Sequence, residues 1–142
     1  MELKKYGGVF SFDKEKTEEY YKNRDKSLCR CANCQYYYDH IKGQFPKLEA
    51  LLSDFGVDIE KPDTVESVDL NGENKVWIFE ALYTVCGKII GKLPKNIEMK
   101  DRQKLFISFR DSVGFPNGQT GDYFPIYISG FEMYRPMTDN IK

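Results

Sequence analysis

Histidine is nearly missing from this chain: its 142 residues include one, His40. A site built from several imidazoles is thereby excluded, and histidine acid–base chemistry has a single candidate. Neither sign of charge is in excess. Lys and Arg number 21 against 22 Asp and Glu, so no overall field draws the protein to nucleic acid or to an anionic membrane. No apolar run approaches the roughly 20 residues of a membrane-spanning helix, and "MELKKYGGVF" holds no apolar core of signal-peptide length. The expected location is the cytoplasm, where four cysteines are not expected to form a disulfide framework. Also missing are a serine elbow, a dinucleotide fingerprint, an acidic metal cluster and a phosphate loop. The glycine-rich "GFPNGQTGDY" lacks the Lys-Ser/Thr ending and precedes a strand, so it reads as a long hairpin connection. These absences lean away from an enzyme.

What is present suits one soluble domain spanning 1–142. A chain of about 150 residues buries roughly 68–70% of its unfolded surface, so neither a disulfide nor a metal is needed to reach folding size. "YGGVFSF", residues 6–12, reads as a strand. Asp13 follows as an N-cap, with Lys16 where a capping box would place Glu. "KEKTEEYYKNRDK" predicts an exposed helix resting on Tyr20 and Tyr21. From Cys34 to Phe55, apolar residues recur every three or four positions, the stripe of an amphipathic helix. Gly43 and Pro46 interrupt it, so two helices are predicted, about 32–43 and 46–55, the second closed by Gly56 in a left-handed cap.

From Val65 the pattern changes to strands. "VESVDL" and "KVWIFEALYTVCG" flank the turn composition "NGEN". The second run is apolar on both faces, with Trp77, Phe79, Ala81, Tyr83 and Val85 on one and Val76, Ile78, Leu82 and Cys86 on the other. That pattern places it at the centre of a sheet covered on both sides. "KLFISF" and "YFPIYISGFEMY" add two strands, and Pro125 argues for an edge or a bulge in the latter. The fold expected is α+β: N-terminal helices, about 13–56, packed on a mostly antiparallel sheet of about four to five strands, about 65–135.

Cys29, Cys31 and Cys34 form a C-x-C-x2-C cluster. Closely spaced thiolates on a turn are how small zinc knuckles begin, but a closed tetrahedral site needs a fourth ligand. His40 and Cys86 are the candidates. On a regular helix, His40 lies about 9 Å along and about 240° around from Cys34, on another face. Cys86 would serve only if its strand packs beside the first helical turn. Against coordination stands packing: Cys34 lies on the apolar stripe, Cys31 would sit one turn earlier on the same face, and free cysteine is among the most buried residue types. Packing weighs more than zinc, and no other cofactor is indicated. A third reading takes Cys31 and Cys34 as a redox pair at a helix N-terminus, without the βαβ context of thioredoxin-like sites.

The remaining candidates are weaker. Asp39 beside His40 points away from it on a helix. Asp58, Glu60, Asp63 and Glu66 read as a solvated loop. Tyr36, Tyr37 and Tyr38 cover more than one helix face, so at least one is expected at the surface, where aromatics beside charge suit a partner protein.

The segment "CANCQYYYDHIKGQFPKLEALLSDFGVDIEKP" resembles a family of small, functionally uncharacterised bacterial proteins. The shared features are a C-x-N-C pair opening a Tyr-rich helix, a proline-started helix, and a Gly-Ile/Val-Asp and Lys-Pro ending. Here they are Cys31, Asn33, Cys34, Tyr37, Pro46, Leu51, Gly56, Val57, Asp58, Lys61 and Pro62. The resemblance covers residues 29–62, implies a bacterial cytoplasmic origin, and transfers no activity or ligand. The function expected is that of a non-enzymatic domain binding another protein, as an immunity-type or regulatory partner. The alternatives are a zinc module on Cys29, Cys31 and Cys34, completed by Cys86 or His40, and a thiol-redox enzyme on Cys31 and Cys34.

Overall fold

The computed structural model describes residues 1–24, 31–110 and 122–136. Its elements are β1 (Glu2–Lys5), β2 (Gly8–Phe12), α1 (Lys14–Lys22), α2 (Ala32–His40), α3 (Pro46–Asp54), β3 (Thr64–Leu70), β4 (Lys75–Ile90), β5 (Ile97–Asp101), β6 (Gln103–Phe109) and β7 (Tyr123–Pro136). All strands belong to one antiparallel sheet of order β1-β2-β4-β7-β6-β5, with β3 beside β4. The α+β class is as expected, but the strands among the described residues number seven rather than four to five. The two unforeseen strands, β1 (ELKK) and β5 (IEMKD), are the two ends of the order. Charged edge strands deter further pairing; β1 holds one apolar residue, and the alternation of β5, Ile97 and Met99 between Glu98 and Lys100, is short.

Local chemistry sets the helix boundaries. Asp13 caps α1, its Oδ1 accepting the Lys16 N–H at 2.9 Å, and Thr17 and Tyr21, four residues apart, are the buried face. α2 stops at His40, three residues short of the expected end. α3 begins with Pro46 at its first position, but Phe45 before it offers no capping side chain. Asp101, from the end of β5, accepts the Lys47 and Leu48 N–H groups at 2.8 and 3.0 Å instead. After α3, Gly56 takes φ +83° and the Val57 N–H returns to the Leu52 carbonyl, the expected left-handed cap.

β4 is the hub. β7 runs along one side of it. The other side is shared by β3, which pairs with residues 75–82, and β2, which pairs with residues 87–90. Between those two partners α1 supplies the missing ladder. Asp63 N–H donates to the Leu82 carbonyl, and the Tyr21 hydroxyl both donates to the Thr84 carbonyl and accepts its N–H, each at 2.8 Å. Thr17 Oγ1 accepts the Cys86 N–H, whose carbonyl takes the Asp13 N–H. Side-chain hydroxyls thus do the work of a strand.

The same geometry accounts for Pro125. Its strand, β7, is not at an edge but between β4 and β6, and it does contain an irregularity, at Gly130, Phe131 and Glu132 rather than at Pro125 itself. Its partner Thr84 turns its backbone groups toward Tyr21, so Pro125 turns its own toward β6. The β6 ladder ends with Phe109 opposite Ile126, and the missing proline N–H falls beyond it.

The expected two faces of β4 are also revised. Phe79 is an extra residue between Ile78 and Glu80 relative to β3, a β-bulge, while on the other side β7 sets three residues, Gly130, Phe131 and Glu132, against it. The bulge flips the alternation, so Ile78 joins Ala81, Tyr83 and Val85 in the core instead of opposing them. β7 answers at the same level: Phe124, Ile126 and Ile128 give way to Phe131 and Met133. Helices α2 and α3 cover this inner face with Tyr37, Tyr38, Leu48, Leu51 and Leu52, and Phe10, Phe55, Phe109 and Phe124 close one end in edge and tilted ring contacts.

Tyr21→Phe removes one hydroxyl and with it two buried hydrogen bonds to the Thr84 backbone. Losing buried bonds of this kind costs about 1–3 kcal/mol. The variant is expected to lose that much stability in urea unfolding with an unchanged slope. A loss below about 0.5 kcal/mol, the level of an ordinary surface change, would show that the splice carries no energetic weight.

Candidate functional site

The cysteine cluster is divided by its environment. Cys31 is the N-cap of α2, exposed, with its Sγ accepting the Cys34 N–H at 3.4 Å. It is not the buried residue that packing required, because it precedes the helix and points along its axis rather than onto the apolar stripe. Cys34 does lie on that stripe and is only 5% exposed. Cys29 lies outside the described residues. Asn33 between them is a clamp: its Nδ2 donates to Ser67 Oγ at 3.0 Å and its Oδ1 accepts from Arg135 Nε at 2.8 Å, tying the first turn of α2 to β3 and β7.

Neither candidate fourth ligand joins them. Cys86 is buried outside the central core cluster, on the face of β4 opposite Tyr83 and Val85, whereas Cys34 belongs to that cluster. Burial pushes the Cys86 thiol pKa up, against a Thr17 hydrogen bond that lowers it. His40 is exposed at the far end of α2, its ring stacked on Tyr36 at 3.9 Å and its Nδ1 2.7 Å from the Tyr36 carbonyl. Among the described residues, no group of three or more His, Cys, Asp or Glu side chains converges as a metal site.

The tyrosine run and the acidic stretch both sort differently from expectation. Tyr37 and Tyr38 are buried and only Tyr36 is half-exposed, so they form no surface patch. Tyr83 donates its one hydroxyl proton to the Ile59 carbonyl at 2.6 Å, so Tyr37 is the donor to Tyr83, also at 2.6 Å. Asp58 caps the Glu60 N–H, and Glu60 pairs with Lys42, as a solvated loop would. Asp63 does not belong to that loop. It is buried against Arg24, with side-chain exposures of 9% for the arginine and 5% for the aspartate. Tyr20 and Thr84 hydroxyls donate to the same carboxylate, and Arg24 also reaches the Lys61 and Pro62 carbonyls. Burial works against the charge on Arg24, yet Asp63 and the neighbouring phenols hold its pKa above the ordinary value. This network locks the end of α1 to the entry of β3.

Exposed aromatics are found instead on the outer face of the sheet. Val68, Trp77 and Tyr134 stand in register across β3, β4 and β7. Val68 is 44% and Tyr134 38% exposed, and Trp77 is half-buried. Phe79 at the bulge lies 5.2 Å from Trp77, and Phe106 on β6 is 44% exposed. Two register positions along, beyond the Ser67–Ile78 pair, Glu66 and Glu80 stand directly opposite each other. Neither makes an ion pair among the described residues. The recesses carry less. One of about 390 Å³ beside Gly56 brings Glu18, Lys22, Asp58 and Lys61 together, alternating charges without a nucleophile or base poised among them.

No family model, curated protein or solved structure matches this chain. No helix among the described residues is long and apolar enough to cross a membrane.

Buried phenols make stability sensitive to alkali. Desolvation raises the pKa values of Tyr21, Tyr37 and Tyr83, and that of Tyr20 is pushed up to about 12, chiefly by burial and then by Asp63. The unfolded chain releases these protons near the ordinary value of about 10, whereas the folded one retains them. Their contribution is therefore complete below about pH 10 and is lost as the pH rises through the folded values. Phenolate absorbance is expected to rise in two steps, exposed tyrosines first and the buried ones only with unfolding seen by circular dichroism. A single step with all 10 tyrosines ionising in the folded protein would contradict it.

Proposed function

We propose that the protein is a non-enzymatic binding domain, an immunity-type or regulatory partner, that docks another protein on the outer face of its sheet. The observation that carries this reading is the Val68–Trp77–Tyr134 row, aromatic and apolar surface aligned over three strands and left uncovered by the helices. Binding energy concentrates on such large anchors, with Trp and Tyr foremost among them. The Glu66–Glu80 pair specifies the occupant. Like charges directly opposite on a sheet destabilise it, and a basic side chain from a partner placed between them removes the repulsion. The occupant is therefore a protein whose docking surface presents an arginine or lysine beside apolar side chains.

The buried tyrosines and the Arg24–Asp63 pair fit a structural rather than a chemical role, since each polar contact described for them ends on another part of the fold. The zinc reading retains Cys31 and Cys34 as two adjacent thiols and finds no further ligand beside them among the described residues.

The test compares wild type with a Val68→Thr/Tyr134→Thr variant, in which threonine keeps strand propensity. A protein captured from host extract on wild type is purified and its affinity measured for both, with Glu80→Gln as a third bait. Support requires at least a tenfold loss of affinity in the double variant, weaker binding by Glu80→Gln, and unfolding midpoints near wild type. Equal binding by all three, or no protein that prefers wild type, overturns the reading. So does self-association of wild type abolished by the double variant, which would assign the face to a second copy.

A further inference from the structure

We infer that Cys31 and Cys34 form a thiol–disulfide exchange site that reacts with low-molecular-weight disulfides, Cys31 attacking and Cys34 resolving. The site uses none of the outer-face residues and stands independently of the docking reading. Three features carry it. The two sulfurs differ in access as the two steps require: Cys31 is exposed, and Cys34 is buried at 5% exposure one turn behind it. The helix N-terminus favours negative charge on a capping group, and here the cap is the Cys31 sulfur, which receives the Cys34 N–H at 3.4 Å. The pair is also within reach of closure. The Cys31 sulfur already folds back onto the first turn, 3.4 Å from the Cys34 N–H, and a disulfide needs Cβ atoms about 3.5–4.5 Å apart. Cys31 has extended backbone outside the helix, φ −67° and ψ 158°, so it can supply the movement without unwinding α2. Cys34 stays in place because Asn33 clamps the same turn to β3 and β7.

The chemistry balances without another cofactor. The Cys31 thiolate, its proton released to water, attacks one sulfur of the disulfide. A mixed disulfide forms and one thiolate leaves. Cys34 then loses its proton and attacks the Cys31 sulfur, closing the intramolecular bond and expelling the second thiolate. Two protein thiols are oxidised, one external disulfide is reduced to two thiols, and the two protons lost by the cysteines go to the leaving groups. Cys86, on the other face of the sheet with its thiol pKa raised by burial, takes no part.

The probe is glutathione disulfide. Reduced protein is incubated in a series of oxidised-to-reduced glutathione ratios, quenched with acid and mapped by mass spectrometry. Wild type is expected to lose two hydrogens, with the bond mapped between Cys31 and Cys34. Cys34→Ser is expected to accumulate one glutathione on Cys31, and Cys31→Ser to accumulate neither product. Serine is itself a good N-cap, so Cys31→Ser keeps the helix start and serves as the folded control. Cys29→Ser is expected to behave as wild type. The inference is overturned if wild type keeps both thiols across the series, if it retains the glutathione adduct as Cys34→Ser does, or if the bond formed includes Cys29.

Discussion

The structure depends on how the open side of β4 is satisfied. A strand of 16 residues cannot be paired along one side by either β3 or β2 alone, because each reaches only part of it. The backbone of Thr84 and Cys86 between them is buried, and buried peptide groups without partners are too costly to leave. α1 resolves this with Tyr21, Thr17 and the backbone of Asp13. Because α1 is committed to this edge, its C-terminal end arrives beside the entry to β3, where Arg24 meets Asp63. A buried ion pair of this kind is weak evidence of stability in itself. Here both charges carry further hydrogen bonds, and their positions join the first helix to the later sheet.

The bulge at Phe79 separates the two sides of the sheet in packing. By flipping the alternation in β4, with β7 matching it, the bulge keeps an unbroken inner face under α2 and α3. The same flip leaves Trp77 on the outer face, where its indole N–H is satisfied by the Phe131 carbonyl of β7 at 2.7 Å. With that polar group satisfied inside the sheet, only the ring of the half-buried tryptophan faces outward. The outer face owes its aromatic row to a backbone irregularity as much as to composition.

Much of this was legible along the chain. The Asp13 cap, Pro46 at the start of α3, the Gly56 cap and the apolar character of β4 all follow from interactions within a few residues. The edge strands β1 and β5 were harder to read: β1 has a single apolar residue, and β5 alternates Ile97 and Met99 with Glu98 and Lys100 over too short a run to stand out before pairing defines it. Among the candidate site residues, the burial of Cys34 could be read from the helical stripe. Cys31 as an exposed cap could not, since its exposure depends on where the helix begins. Asp63 looked like one more acidic loop residue until Arg24, 39 positions earlier, was brought against it.

The sequence alone determined the class of fold, the three helices and the division between a helical first part and a strand-rich second, because propensity, capping and periodicity are local. Tertiary structure decided strand order, the phase flip at Phe79, which tyrosines are buried and which sulfurs share an environment. Those outcomes rest on hydrogen bonds between residues such as Tyr21 and Thr84, 63 positions apart. No local pattern encodes such a pairing, because whether a polar group needs a partner is settled only when the assembled fold takes it out of water.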